Sequence, residues 1–211
     1  MWVRRERNQR GAVAVEAALI TPLLCLLLFG IIEMSLLMRD AVSVNSSVRT
    51  GARIASVSAA AGPGTCVASA NPPPCSPTTA PALAQAAADA IARAGAAMPK
   101  DSIDWVMVYD ANPGGYPLPV GNTNLVCTTN CVVYVWDKGL SKFRYSSGTW
   151  DAKATVNACV NDPNRSAVGV SLRAKHPWIT GLFGSGVTLN ERSIMQFEPL
   201  PNEQCLPNKH P

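Results

Sequence analysis

The sequence predicts an α+β protein: a long N-terminal transmembrane helix that continues into a small extracytoplasmic domain. That domain is expected to hold one or two helices and a roughly four-stranded antiparallel sheet. Three observations carry this. Residues 17–32 are apolar throughout, broken only by Thr21 and Pro22, and with their flanks they reach the roughly 20 residues that cross a bilayer core. Beyond Met38 the apolar positions adopt helical spacing, at Ala41, Val44, Val48, Ala52, Ala55 and Ala59. Further on, short runs such as Ile103, Trp105, Met107 and Tyr109 alternate with the two-residue period of a half-buried strand.

The order of elements follows from these patterns. Residues 1–11 form a basic leader: Arg4, Arg5, Arg7 and Arg10 against Glu6 account for +3 of the chain's formal +4. The positive-inside bias places that leader in the cytoplasm and everything after the span outside it. Residues 12–38 are the transmembrane helix, and 39–61 its amphipathic continuation, ended by Gly62-Pro63-Gly64. Pro22 removes a backbone donor inside the span and is expected to kink or loosen it. Glu33 is expected at the outer interface near Arg39, in a structural role. Residues 62–81 are a Pro-rich loop with Pro72-Pro73-Pro74 at its centre. Residues 82–211 make up the outer domain, beginning with an Ala-rich helix up to Met98. Strands are expected at 102–110, 131–136, 167–174 and 186–197, and an irregular element anchored by Trp150 and Cys159 over 143–162.

With most of the charge in the leader, the rest of the chain is nearly neutral and offers no basic face for nucleic acid. Seven cysteines occur. Cys25 lies in the span, and the other six fall on the outer side, where an even number reads as up to three disulfides. Six cysteines allow fifteen connectivities. The first choice is Cys66–Cys75, closing the Pro-rich loop; Cys127–Cys131 closes a short loop, and Cys159–Cys205 then ties a late loop to the C-terminal segment. A zinc site built from cysteines with His176 is the alternative, weakened because no second close pair follows Cys127 and Cys131.

Before the apolar run stand Gly11, then Ala12-Val-Ala-Val15, then Glu16. This arrangement resembles the type IV pilin leader, which is cut after a glycine and leaves glutamate as the fifth mature residue. The longer stretch over residues 10–56 resembles the TadE-like family of tight-adherence (Tad, or Flp) pilus systems. It shares Arg-Gly before a Val-Glu-x-Ala start, Pro22 early in the helix, Gly30-Ile-Ile-Glu33, and Arg49-Thr-Gly-Ala-Arg53. Ala17 and Met34 depart from it, standing where the family often has larger or aromatic residues. A looser likeness extends over Val168–Arg173, Trp178–Phe183 and the strand ending at Glu198-Pro199.

The resemblance implies processing between Gly11 and Ala12, and subunit registration through Glu16. The implied partners are a prepilin peptidase, other minor pilins or the major pilin, and an inner-membrane assembly platform. The implied role is that of a minor pilin or pseudopilin in pilus assembly, and thereby in adhesion. The competing reading is a single-pass membrane-anchored binding or envelope protein that never enters a filament. No nucleophile elbow, phosphate loop, zinc-protease helix or calcium loop is present in the sequence, so no catalytic or metal residue and no cofactor is expected. His176 and His210 read as ordinary loop or terminal residues. Trp178 and Phe183 are the candidate partner contact, though burial as a cap on the sheet is the favoured expectation for them.

Overall fold

The structure, a computed structural model, describes residues 10–66, 76–94, 98–181 and 183–210. Arg4, Arg5, Arg7 and Cys75 lie outside the described residues. Helix α1 runs over Arg10–Val57 as one 48-residue element with Pro22 inside it, about 72 Å long at 1.5 Å rise per residue. Its two halves live in different surroundings. From Gly11 to Ile32 almost every side chain is exposed, including Leu19, Leu23, Leu24, Leu27 and Ile31. From Glu33 onward one stripe is buried: Glu33, Asp40, Val44, Val48, Ala52, Ala55 and, just past the helix, Ala59. The three- and four-residue steps keep these on one helix face.

Helix α2, Ala82–Arg93, lies against that stripe, burying Leu83, Ala84, Ala87, Ala88 and Ile91. The closeness depends on Gly51, whose missing side chain leaves room for Ile91: a Cβ there would stand 2.8 Å from its Cδ1. Behind the helices is an antiparallel five-stranded sheet. Its strands are β1 (Ile103–Ala111), β2 (Cys131–Asp137), β3 (Lys142–Thr149), β4 (Ala167–His176) and β5 (Val187–Gln196), in the spatial order β3-β2-β1-β4-β5. A single helical turn, α3, at Ala152–Thr155 is capped by the Asp151 side chain.

One sheet face turns Val106, Val108, Tyr134, Val170 and Leu172 onto the helices. The opposite face holds Met107, Tyr109 and Cys131 under the loop 112–130. Tyr109 lies over Gly169 on the neighbouring strand, where a Cβ would come within 2.2 Å of the ring. Its hydroxyl donates to the Gly115 carbonyl at 3.1 Å, and burial pushes its pKa up to about 12.

The sheet has one strand more than expected. β3 occupies the first part of the stretch read as irregular, and the rest, including Trp150 and Cys159, is indeed non-strand. KFRYSSGT carries only Phe143 as a fully buried residue, because β3 is an edge strand with most of its outer face in solvent. The amphipathic helix also ends earlier, at Val57 rather than at residue 61.

Two disulfides are placed as expected, Cys127–Cys131 and Cys159–Cys205. Both consume the thiolates that the zinc alternative needs. Cys66 is disulfide-bonded; the expected pairing with Cys75 falls outside the described residues. The Pro-rich loop is described only at its feet, where Gly64 N–H donates to Ala80 O at 2.6 Å.

Asp110, at the end of β1 farthest from the exposed half of α1, gives the domain a measurable pH signature. It is 7% exposed, and burial pushes its carboxyl up to about 6, with the Asn130 amide opposing. An unfolded aspartate titrates near pH ~3.9, so between those values the native state holds a proton that the unfolded chain has released. Stability from this group is therefore full below about pH 4 and falls as pH rises to about 6, by about 2 kcal/mol. Asp110→Asn should abolish that fall and be the more stable protein at neutral pH. Urea unfolding in detergent, variant against parent across this window, reads the difference.

Candidate functional site

The residues the sequence singles out divide between the free half of α1 and its junction with the domain. Gly11, Ala12 and Glu16 lie in the first two turns of α1 and are exposed. A Cβ on Gly11 would meet nothing within 4 Å. The Glu16 carboxylate thus stands on an apolar helix with no part of the domain near it. Pro22 lies one and a half turns further on, and the helix continues through it.

The junction is built from two carboxylates on the packing stripe of α1. The strand directions explain what meets them. β4 runs toward the free half of α1 and ends at His176; β5 starts back at Val187, paired with His176. The connecting residues 177–181 and 183–186 therefore extend along α1 toward its exposed half. Gly181 and Gly184 supply the positive φ values of 69° and 97° that turn this tip.

Asp40, 3% exposed, receives the His176 ring: Nδ1 lies 2.7 Å from Oδ2, and His176 is itself 3% exposed. The other Asp40 oxygen accepts from the Arg39 guanidinium at 3.1 and 3.2 Å. Two turns nearer the membrane, Glu33 is fully enclosed, and its Oε1 accepts from the Thr180 backbone N–H at 2.6 Å and hydroxyl at 2.9 Å. A carboxylate at this depth requires such donors. Glu33 thus has the structural role expected of it, with Thr180 of the β4–β5 tip supplying the donors. His176 is likewise no ordinary loop residue. His210 also is buried, its Nε2 3.1 Å from the Val156 carbonyl.

The tip's aromatic residues do not cap the sheet. Trp178 is half-buried, edge-on to His176 at 5.1 Å between ring centroids and tilted against Phe183 at 5.5 Å. Phe183 is 54% exposed and Ile179 73% exposed. The burial expectation is corrected accordingly, because the hairpin overshoots the sheet edge, leaving Ile179 exposed and Phe183 beside the bare helix. Neither Glu33 nor Asp40 stood out as a site residue in the sequence. The available signal was the stripe itself, which runs back from Val44 through Asp40 to Glu33 in helical steps.

Among the described residues one helix is long and apolar enough to cross a membrane, and it carries an α+β domain on its far half, an architecture that fits a membrane-anchored protein. Residues 11–53 match the family model described as TadE-like protein. The chain therefore carries a TadE-like segment over its long helix. No curated protein and no solved structure gives a significant match. The matched residues end at Arg53 and so cover the free half of α1 and most of its packed half. The strands β4 and β5 lie outside the match.

Proposed function

We propose that the protein is a minor pilin or pseudopilin that takes part in Tad pilus assembly and thereby in surface attachment. The observation that carries this reading is the coincidence of the TadE-like match with a helix half bare and half packed. A filament subunit needs such a helix: its bare half can exchange lipid for neighbouring subunits while the domain stays folded. In this reading the leader is cytoplasmic and is cut between Gly11 and Ala12 by a prepilin peptidase. Glu16 then lies near a mature N-terminal amine, and in an apolar bundle its carboxylate is satisfied by the amine of an adjacent subunit. Other pilins and the inner-membrane platform are the partners, and the protein's role is assembly rather than catalysis.

Intact mass and terminal sequencing of the protein from its host's membranes test the processing step, with a start at Ala12 expected. Glu16→Ala should leave membrane insertion and the domain unchanged while abolishing recovery of the protein with sheared filaments. A start at Met1 together with wild-type behaviour of Glu16→Ala would replace this reading with that of a permanent single-pass envelope anchor.

A further inference from the structure

The β4–β5 tip reaches a part of α1 that a membrane must cover. Phe183 lines a nearly wholly apolar groove with Leu26, Leu27, Gly30, Ile31 and Met34. Leu27 is six residues before Glu33, about 9 Å along the helix toward its apolar centre. The helix surface here has no other protein covering among the described residues, and in the 18-residue apolar window none of it is buried. Phe183, 54% exposed, therefore lies at the depth of side chains that lipid has to solvate, and Ile179, 73% exposed, directly precedes the Thr180 that binds Glu33.

We propose that this tip is a second membrane contact of the protein: Trp178, Ile179 and Phe183 enter the outer leaflet beside α1, among acyl chains and headgroups. Three features favour lipid over a protein as the occupant. The groove is continuous with the bilayer-spanning face of α1, so acyl chains already fill its lower end. The patch has the composition of an interfacial anchor, with a half-buried Trp behind two exposed apolar side chains. Above it stands the half-exposed Arg39, whose guanidinium also contacts Asp40, a cation at the height where headgroup phosphates would be. The Thr180–Glu33 hydrogen bonds clamp the tip to the helix, so the domain meets the membrane at a fixed height. This inference rests only on α1 spanning a membrane, not on entry into a filament.

The test uses the full chain in phosphatidylethanolamine–phosphatidylglycerol vesicles. Cys25, exposed and free, is labelled with the fluorophore NBD to report on insertion of α1. In a Cys25→Ser background, the label is placed instead at Ile179→Cys, at Phe183→Cys, and at Val120→Cys on the membrane-distal end as control. Emission from positions 179 and 183 should be blue-shifted and quenched several-fold more by doxyl-acyl lipids than emission from 120, with iodide showing the reverse order. Should the label disturb the tip, Trp178→Phe in the unlabelled chain should remove a brominated-lipid-quenchable part of the tryptophan emission. Positions 179 and 183 behaving like 120 would overturn the proposal. So would shielding from iodide without doxyl quenching, which means a second protein surface sits there. An unquenched label at Cys25 would overturn the membrane reading itself, and is thereby told apart from failure of the tip.

Discussion

Removing the Cys159–Cys205 disulfide should cost the domain about 4 kcal/mol, the largest loss expected of any covalent or side-chain change outside the core. The bridged residues are 46 apart in sequence, and cross-linking a loop of that length lowers the entropy of the unfolded chain by about this amount. The bond also holds structure that little else secures. Residues 198–210 are attached by scattered hydrogen bonds: Glu198 to Ser56 at 2.9 Å, Leu200 to Ala158 at 3.0 Å, Ala158 to Cys205 at 2.8 Å, Asn208 to Lys153 at 2.8 Å, and the His210 ring to Val156 O at 3.1 Å. The segment buries its own His210, and Trp150 and Phe197 are buried as well, each of the three 1% exposed.

Cys127–Cys131 spans only four residues, and its loss should cost about 2 kcal/mol on the same scale. The serine double variants of the two bridges, unfolded by urea in detergent, should therefore differ clearly, with Cys159→Ser/Cys205→Ser the weaker. The reverse order would show that residues 198–210 dock without the staple. Dependence on these bonds also bears on topology. Disulfides persist in oxidising compartments, which fits a domain on the outer side with the Arg-rich leader inside.

What could be read from the sequence follows the range of the interactions. α1 is legible because its determinants are local: an apolar run broken only by Thr21 and Pro22, then small and apolar residues in three- and four-residue steps. β1, β2 and β4 are legible because burial between neighbours makes them apolar or alternating, and β5, although an edge strand, keeps Val187 and Leu189 in alternation before Ile194-Met195. β3 is not, since an edge strand needs few apolar residues and KFRYSSGT has few. Gly148 hides it further: it resembles a turn residue, yet it sits in the strand at φ 94°, where only glycine fits because a Cβ would stand 2.2 Å from the Cys131 carbonyl oxygen. The junction was harder still. Thr180 and Glu33 are 147 residues apart, and His176 and Asp40 136, so no motif spans either pair. Each carboxylate's place on the packing stripe was nonetheless in the sequence. A carboxylate on a core face demands a donor, and the residues after β4 could have been searched for one.

Asp40→Ala should destabilise the domain by about 3 kcal/mol and release the β4–β5 tip from α1. The figure follows from what the deletion leaves behind. His176, 3% exposed, loses the acceptor 2.7 Å from its Nδ1, and stranding one member of a buried polar or charged pair costs several kcal/mol. Asp40→Asn keeps an oxygen in place and should cost less than Asp40→Ala. His176→Ala should resemble Asp40→Ala, and the double variant should lose little more than either single one, since the second deletion removes a group already stranded. Hydrogen exchange supplies the local readout. The Thr180 amide, bonded to Glu33, should exchange faster in Asp40→Ala although Glu33 is untouched, because His176 and Trp178 hold the strand end that carries it. Additive losses for Asp40 and His176, or an unchanged Thr180 amide, would mean that the two carboxylates act separately. Coupled losses would make them one clamp, with Asp40 fixing the end of β4 and Glu33 fixing the tip two helical turns nearer the membrane.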